Sequence, residues 1–170
     1  SKLKGKGFKK ALSRDEVRLI ENLDESRYPH LQEAKHLFVF SYYTRGMNYY
    51  DIMKLTWDRI DNDKIIYTRS KTKGRFTVKI LQPIQNILDY YKELNTNTNF
   101  VFPILLNEGM TPIQIENRKA KKLKRFNSDL KKIAEIIGID KPLTSYVARH
   151  SFATNLKQLG VSTDIISQSM

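Results

Sequence analysis

Apolar residues at the start of the chain recur at the three- and four-residue spacing that is typical of one helix face. Val17, Ile20 and Leu23 have this spacing, and the capping-box sequence Ser13-Arg-Asp-Glu16 precedes them. We therefore predict a first helix over residues 14–23.

The next apolar stretch predicts a second helix that is buried on all sides. Residues 37–43 are apolar almost all round, and a helix with this pattern lies in a core rather than at a surface. We predict this helix over residues 31–44, with Gly46 as its stop. A third helix is predicted over residues 49–55, with Asn48 as its N-cap.

The apolar period then changes from that of helices to that of strands. Three short runs are separated by turn sequences that contain Asn, Asp, Lys and Gly. The predicted strands cover residues 57–60, 65–69 and 76–80. Their short connections predict a three-stranded antiparallel meander.

The second half of the chain returns to helical spacing. One helix is predicted over residues 84–94, after Pro83, and a long one over residues 113–137, with Gly138 as its cap. Together these elements predict an α+β fold that is mostly helical, with helices around a small three-stranded antiparallel sheet.

A further helix is predicted to start at Thr144 or Ser145, which can cap it. Arg149 and His150 then fall within its first two turns. The start of a helix with an arginine beside it is well suited to bind a phosphate. A last short helix is predicted over residues 163–169.

The charge of the chain indicates the class of its partner. Its 30 Lys and Arg residues against 18 Asp and Glu residues give a formal net charge of +12. This excess favours a polyanion. Nucleic acid is favoured over an anionic membrane surface, because the basic segments lack amphipathic apolar faces. A basic surface that only keeps the chain solvated is the alternative.

The length of 170 residues suits one domain, which we place at residues 11–170, after a basic arm or linker at residues 1–10. The absence of cysteine excludes disulfides and cysteine-based zinc or nucleophile chemistry. No apolar run is long enough to span a membrane, and no signal-peptide pattern is present. These features are compatible with a cytoplasmic protein.

A run of cations lies on the predicted long helix. Six positive charges fall within eight residues: Arg118, Lys119, Lys121, Lys122, Lys124 and Arg125. A solvated helix face is one interpretation, but with this net charge we predict that they contact DNA phosphates. Lys73, in the second predicted turn of the sheet, and Arg75, directly after that turn, extend this set of expected DNA contacts.

Three separated segments resemble the catalytic domain of the tyrosine recombinases, the phage-integrase family. Residues 44–57, Thr-Arg-Gly-Met-Asn-Tyr-Tyr-Asp-Ile-Met-Lys-Leu-Thr-Trp, resemble the first arginine box. Residues 67–73, Tyr-Thr-Arg-Ser-Lys-Thr-Lys, resemble the strand turn that bears the catalytic lysine. Residues 149–154, Arg-His-Ser-Phe-Ala-Thr, and the segment 159–170 resemble the second arginine box and the helix that follows it. The residues in these segments are similar to those of integrases from conjugative transposons and other mobile elements.

The resemblance implies a specific chemistry. A tyrosine hydroxyl attacks a DNA phosphodiester and leaves a 3′-phosphotyrosine, so the bond is exchanged rather than hydrolysed. Arginines bind the non-bridging oxygens, a lysine protonates the leaving 5′ oxygen, and histidines assist proton transfer. No metal or other cofactor is required. The implied partner is double-stranded DNA, with self-association of the full-length protein on DNA, in the bacterial cytoplasm.

The family's catalytic residues can be carried over to this sequence one by one. The resemblance makes Arg149 the second catalytic arginine and Lys71 the catalytic lysine, with Lys73 in the same turn as the alternative. Two positions depart from the family pattern. Asn48 stands in place of the first arginine, and Tyr146 stands where the family usually has a histidine. Tyr146 is suited either to donate a hydrogen bond there or to pack in the core.

The missing first arginine requires a replacement. Asn48 can donate a hydrogen bond but carries no charge, so a charge-assisted clamp needs another cation. Arg69 is two residues before Lys71, and in a regular strand the two side chains share one face. We predict that Arg69 takes this role, with Arg45 and Arg75 as the alternatives.

The three histidines are expected to differ in role. His30 and His36 lie in or near the buried second helix, and we expect both to be structural. For His150, which follows Arg149 directly, two interpretations stay open: an ordinary helix residue, or one that helps to position the site.

The nucleophile of the family has no counterpart in these residues. None of the nine tyrosines lies after Tyr146, whereas the family continues past the position of Met170 with Gly-His and the nucleophilic tyrosine. We therefore expect a C-terminally incomplete catalytic domain that folds but forms no covalent DNA adduct by itself.

The alternative function is a non-catalytic DNA-binding protein, such as a helix-turn-helix regulator. In such a protein, Gly160 would separate two short DNA-binding helices. The turn with Lys71 has no role in a regulator. Covalent capture on nicked DNA separates the two functions, because a regulator forms no protein–DNA adduct.

Overall fold

The computed structural model describes residues 11–94 and 96–158, and over these ranges it has the mostly helical α+β fold that the sequence predicts. The helices are α1 (Arg14–Glu21), α2 (Gln32–Tyr43), α3 (Tyr49–Lys54), α4 (Gln82–Leu94), α5 (Pro112–Ile137) and α6 (Ser145–Gln158). The strands are β1 (Ile60–Asp61), β2 (Lys64–Thr68) and β3 (Arg75–Lys79). The predicted basic arm, Leu159, Gly160 and the predicted helix over residues 163–169 lie outside the described residues.

Helix α2 forms the centre of the core, as its apolar sequence predicts. Phe38 and Phe40 are fully buried, and the ring of Phe40 meets Phe102 edge to face with 4.9 Å between ring centroids. Burial of each such side chain contributes about 1.5–3 kcal/mol. Helices α1, α4, α5 and α6 all contact α2. In the described part of the chain, no helix combines the length and apolar character that crossing a membrane requires.

Capping residues set the helix ends, and these ends lie within two residues of the predicted ones. Ser13 Oγ accepts a hydrogen bond from the Glu16 amide at 3.2 Å, and Glu16 Oε1 accepts one from the Ser13 amide at 3.0 Å. Asn48 Oδ1 accepts from the Asp51 amide at 2.9 Å and caps α3. Gly138, with a φ of 74°, ends α5 in the left-handed conformation that favours glycine.

The sheet is the predicted antiparallel meander, in the order β1-β2-β3. The predicted strand over residues 57–60 is wrong, because Trp57–Arg59 form a 3₁₀ turn and β1 has only two residues. The backbone here bonds to another segment. The Trp57 amide donates to the Asn99 carbonyl at 2.9 Å, and Thr56 forms an isolated β-bridge with Phe100. Residues 56 and 57 are held by these bonds, and the chain pairs with β2 only from Ile60 onward, after the 3₁₀ turn.

His36 lies in the core, with both ring nitrogens bonded. Its Nε2 is 2.7 Å from Glu25 Oε1 and its Nδ1 is 3.0 Å from Tyr91 Oη. Burial lowers the pKa of His36 below its usual value, and the Glu25 carboxylate opposes this shift. The ring therefore joins the loop after α1 to α4, which is a structural arrangement. His30 is exposed, in the 3₁₀ turn before α2.

Helix α6 is fixed to the rest of the domain by two buried hydrogen bonds. Ser151 Oγ accepts from the Leu12 amide at 2.8 Å, and Asn155 Nδ2 donates to Tyr42 Oη at 2.8 Å. Since α6 carries Arg149, these bonds also fix the position of that arginine relative to α2.

We expect Ser151→Ala to lower the free energy of unfolding by about 1–3 kcal/mol, because the buried Leu12 amide would lose its acceptor. Urea unfolding followed by circular dichroism measures this change. Ser128→Ala, at an exposed position of α5, is the matched control and should change the value by less than about 0.5 kcal/mol. Equal effects of the two substitutions would show that the buried hydrogen bond contributes nothing.

Candidate active site

A cavity of about 560 Å³ lies between α3, the β2–β3 turn, α5 and α6. We call it the basic cavity. It is lined by Asn48, Tyr49, Tyr50, Lys54, Ser70, Lys71, Lys73, Lys119, Leu123, Ser145, Tyr146 and Arg149. Five of these residues are Lys or Arg, and none of the described lining residues is acidic. Such a cavity is suited to an anion.

Arg149 reaches the basic cavity from the second turn of α6, where it packs against the turn after α2. Gly46 in that turn has a φ of +83°, a conformation that side chains rarely adopt. A Cβ built on Gly46 would lie 2.7 Å from Arg149 Cγ and 3.2 Å from Arg149 Cα. The glycine therefore permits both the turn and the close approach of α6.

A buried carboxylate ties the β2–β3 turn to α3. Asp51 Oδ1 accepts hydrogen bonds from both the amide and the hydroxyl of Ser70, at 3.1 Å and 2.5 Å. Lys71 and Lys73, which follow in the turn, are exposed and line the basic cavity. Asp51 thus positions the segment that carries both lysines.

Arg69 lies behind the turn and does not share a face with Lys71. The expectation of a shared face is wrong, because β2 ends at Thr68 and the Arg69 amide already bonds to the Gly74 carbonyl in the turn. The Arg69 side chain is buried, with its guanidinium 5.3 Å from the centroid of the Phe76 ring. Its Nη2 has no hydrogen-bond partner among the described residues.

The buried charges influence one another. Burial lowers the pKa of the Arg149 guanidinium below its usual value, and the positive charge of Arg69 adds to this shift. Burial and the charge of Asp51 raise the pKa of Tyr67 to about 12, so its hydroxyl stays protonated at neutral pH. A bound anion would offset the effect of burial and of the Arg69 charge on Arg149.

Asn48 and Tyr146, the two residues that depart from the family pattern, also line the basic cavity. Asn48 uses its side-chain oxygen to cap α3, which leaves its NH₂ group as the donor. Tyr146 is 67 % exposed, so the idea that it packs in the core is wrong. Its ring stacks on His150 with 6.2 Å between ring centroids and 14° between ring planes. This contact orders the Tyr146 ring at the mouth of the cavity.

The predicted run of cations on α5 is divided between several surroundings. Lys119 lines the basic cavity, whereas Arg118 Nε donates to the Ile104 carbonyl at 2.8 Å. Arg125 pairs with the buried Asp129 at 3.0 Å, and it lines a separate cavity together with Lys122. Lys121 and Lys124 are exposed. The helical repeat of 3.6 residues causes this division.

The model of the phage integrase family matches residues 10–170, which is nearly the whole chain. This chain belongs to the phage integrase family. It is 27 % identical over 169 residues to the tyrosine recombinase XerC of Rickettsia prowazekii (strain Madrid E), across 97 % of this chain and 52 % of that protein. The chain therefore spans about half the length of that relative.

Two solved structures show that this integrase-family chain shares their fold. One is the Tn1549 transposon integrase in complex with a circular intermediate DNA, with a TM-score of 0.72 and 16 % identity over 95 % of this chain and 57 % of that one. The other is a lambda integrase tetramer bound to a Holliday junction, with a TM-score of 0.62 and 14 % identity over 94 % and 46 %.

The lining of the basic cavity in this integrase-family chain combines charged and neutral hydrogen-bond donors. Arg149 is a charged, directional donor, and Lys71 carries an exposed ammonium group in the β2–β3 turn. Asn48 and Tyr146 are neutral donors. A phosphate in this cavity would meet positive charge on more than one side, and none of the described lining residues is a carboxylate.

Several residues of the site were not identified from the sequence as functional. Tyr50 and Lys54 are one helical turn apart on α3, a spacing that places them on one face, but nothing local indicates that this face lines a cavity. The sequence pattern does not indicate a role for Ser70, because its hydrogen-bond partner Asp51 is 19 residues away. Gly46 was identified only as a helix stop.

We expect Gly46→Ala to reduce DNA strand cleavage by the full-length protein about 100-fold, because the new methyl group would displace Arg149 from its position. A suicide-substrate assay on a nicked duplex measures cleavage. Gly138→Ala is the matched control, since Gly138 also has a positive φ but no atom within 4 Å of the built Cβ. Both substitutions should destabilise the fold by about 1–3 kcal/mol. Equal cleavage by the two variants would contradict a specific role of the Gly46–Arg149 contact.

Proposed function

We propose that this chain is the catalytic part of a site-specific DNA recombinase that cleaves and rejoins strands through a 3′-phosphotyrosine. The observation that carries this proposal is the convergence of Arg149 and Lys71, from α6 and the β2–β3 turn, in one cavity without acidic residues among its described lining. Membership of the phage integrase family supports the same reaction.

In the proposed reaction, the scissile phosphate occupies the basic cavity. Arg149 binds its non-bridging oxygens, and its fixed position favours the charge that develops in the transition state. Lys71 donates a proton to the leaving 5′ oxygen. Asn48 and Tyr146 donate neutral hydrogen bonds to the same phosphate, and His150 orients Tyr146 by stacking. The attacking hydroxyl belongs to a tyrosine that is not identified among these residues.

Arg69 replaces the absent first arginine in this proposal. Its guanidinium is buried and lacks a partner for Nη2 within the described structure. A buried donor without a partner is unfavourable, and a charged one more so, and binding an anion relieves this. Its charge also acts on Arg149, which supports a common ligand for the two.

The proposed partner is double-stranded DNA, bound by a self-associated form of the full-length protein in the bacterial cytoplasm. The net charge of +12 supports DNA. Structures of the Tn1549 integrase with DNA and of the lambda integrase tetramer on a junction support both DNA and self-association by analogy. Integration or excision of a mobile element is the biological role that follows.

Strand cleavage by variants of the full-length protein tests the function and the role of Arg69 together. Covalent capture on a nicked suicide duplex should yield a protein–DNA adduct with the wild type. We expect Arg69→Ala to reduce adduct formation at least as much as Lys71→Ala, by about 100-fold or more.

Arg75→Ala is the control for Arg69, because Arg75 is an exposed cation next to the same turn, whereas Arg69 is buried. It should retain most cleavage. Wild-type cleavage by Arg69→Ala with none by Arg45→Ala would assign the role to Arg45. Absence of any adduct with the wild type would overturn the proposed reaction.

Duplex DNA binding by this chain should depend steeply on salt. Log affinity is expected to fall nearly linearly with log salt, because each bound phosphate releases counterions. Replacement of Lys121, Lys122, Lys124 and Arg125 by Gln should reduce the slope by about 0.9 for each phosphate that the variant no longer binds. Fluorescence anisotropy over a series of salt concentrations measures the slope.

A second variant controls for the change in net charge. Lys64, Lys79, Lys92 and Lys131 are exposed and lie outside this run, so their replacement by Gln removes the same charge elsewhere. It should change the slope less than the α5 variant does. Equal slopes would show that the α5 run makes no particular contact, and salt-independent binding would contradict the phosphate contacts altogether.

A further inference from the structure

One tyrosine of the basic cavity has two lysine ammonium groups near its ring. The Nζ of Lys54 is 4.6 Å from the centroid of the Tyr50 ring, and the Nζ of Lys119 is 5.3 Å from it. Lys54 is one helical turn after Tyr50 on α3, whereas Lys119 comes from α5. All three residues line the basic cavity. We call them the Tyr50 group.

The two lysines of the Tyr50 group are available to bind an anion. Two ammonium groups near one ring repel each other, and the weak attraction of each for the ring only partly offsets this. Among the described residues, Lys54 has no carboxylate within ion-pair distance. Lys119 has only Glu116, at 3.1 Å, and that carboxylate is 65 % exposed. An exposed pair of this kind is weak and easily exchanged for a stronger anion.

The basic cavity has room for more than one phosphate. Its volume of about 560 Å³ falls in the range of pockets that enclose drug-sized ligands. A single phosphate held by Arg149 and Lys71 would leave much of this space to the Tyr50 group. In DNA, the neighbouring phosphate of the same strand is the anion that always accompanies the first.

We propose that the Tyr50 group binds the DNA phosphate next to the scissile one, on the same strand. Lys54 and Lys119 supply charge, and the Tyr50 hydroxyl donates a hydrogen bond to a non-bridging oxygen. This inference rests on the proposed function, since it takes the first phosphate position as given.

Short oligothymidylates test the second position without knowledge of the target sequence. The probes are dT-p-dT-p-dT and the same trinucleotide with one phosphate replaced by a neutral methylphosphonate. Each is titrated into the ¹⁵N-labelled chain, and dissociation constants are taken from amide chemical shifts. The wild type should bind the two-phosphate probe about fivefold more tightly or better, because a second charge-assisted contact forms. A twofold difference alone is statistical.

The variant Lys54→Gln/Lys119→Gln should reduce this ratio to about two, since either phosphate can still occupy the first position. Lys92→Gln/Lys131→Gln removes the same charge from exposed positions outside the cation run of α5 and should keep the wild-type ratio. A Lys54/Lys119 variant that keeps the wild-type ratio, or a wild type that shows only the statistical factor, would overturn the second phosphate position. A first phosphate position that is unaffected by Arg149→Ala would instead overturn the proposed function.

Removal of the competing carboxylate gives an independent test. Glu116→Gln frees Lys119, so it should increase the preference for two phosphates. Glu135→Gln, at an exposed position near the end of the same helix, changes the charge equally and should leave the preference unchanged. Equal responses of these two variants would show that overall charge, and not the Tyr50 group, determines the preference.

Discussion

The contact between Gly46 and Arg149 is the constraint on which the rest of the site depends. Helix α6 can carry the arginine into the basic cavity only because the turn after α2 has no side chain at the point of contact. The same turn leads directly to Asn48 and α3. This glycine therefore permits the close approach of two segments, around Asn48 and around Arg149, that are far apart in the sequence. Buried bonds from Ser151 and Asn155 keep α6 at that distance.

The site contains two arginines, Arg69 and Arg149, whose positive charges repel each other. The positive charge of Arg69 disfavours the charge on the half-buried Arg149, and the Asp51 carboxylate, whose Oδ1 is bonded to Ser70, opposes this effect. Such an arrangement is unstable by itself. The apolar core around α2 offsets it, because the burial of many large side chains outweighs a few unfavourable polar contacts. Preorganised charge of this kind is what a phosphate transition state requires.

Local signals in the sequence predicted the elements well, since the interactions that start and end helices span only a few residues. The bonds of Ser13 with Glu16 and of Asn48 with Asp51 join residues three apart. The left-handed Gly138 likewise acts on its own helix. The strand predicted over residues 57–60 failed for the opposite reason, because the segment that holds it, at Asn99 and Phe100, is distant along the chain.

The sequence by itself predicted the helices of the described residues, the meander and the family resemblance, and it indicated Arg149 and Lys71, which both line the basic cavity. Only the tertiary structure decided which of the other cations join them. Lys119 faces the basic cavity while Arg125, from the same run, pairs with Asp129, and Arg69 is buried rather than aligned with Lys71. The physical reason is that the position of a residue along a helix or strand determines only the direction of its side chain. The residues that this side chain contacts depend on how segments distant in the sequence pack together.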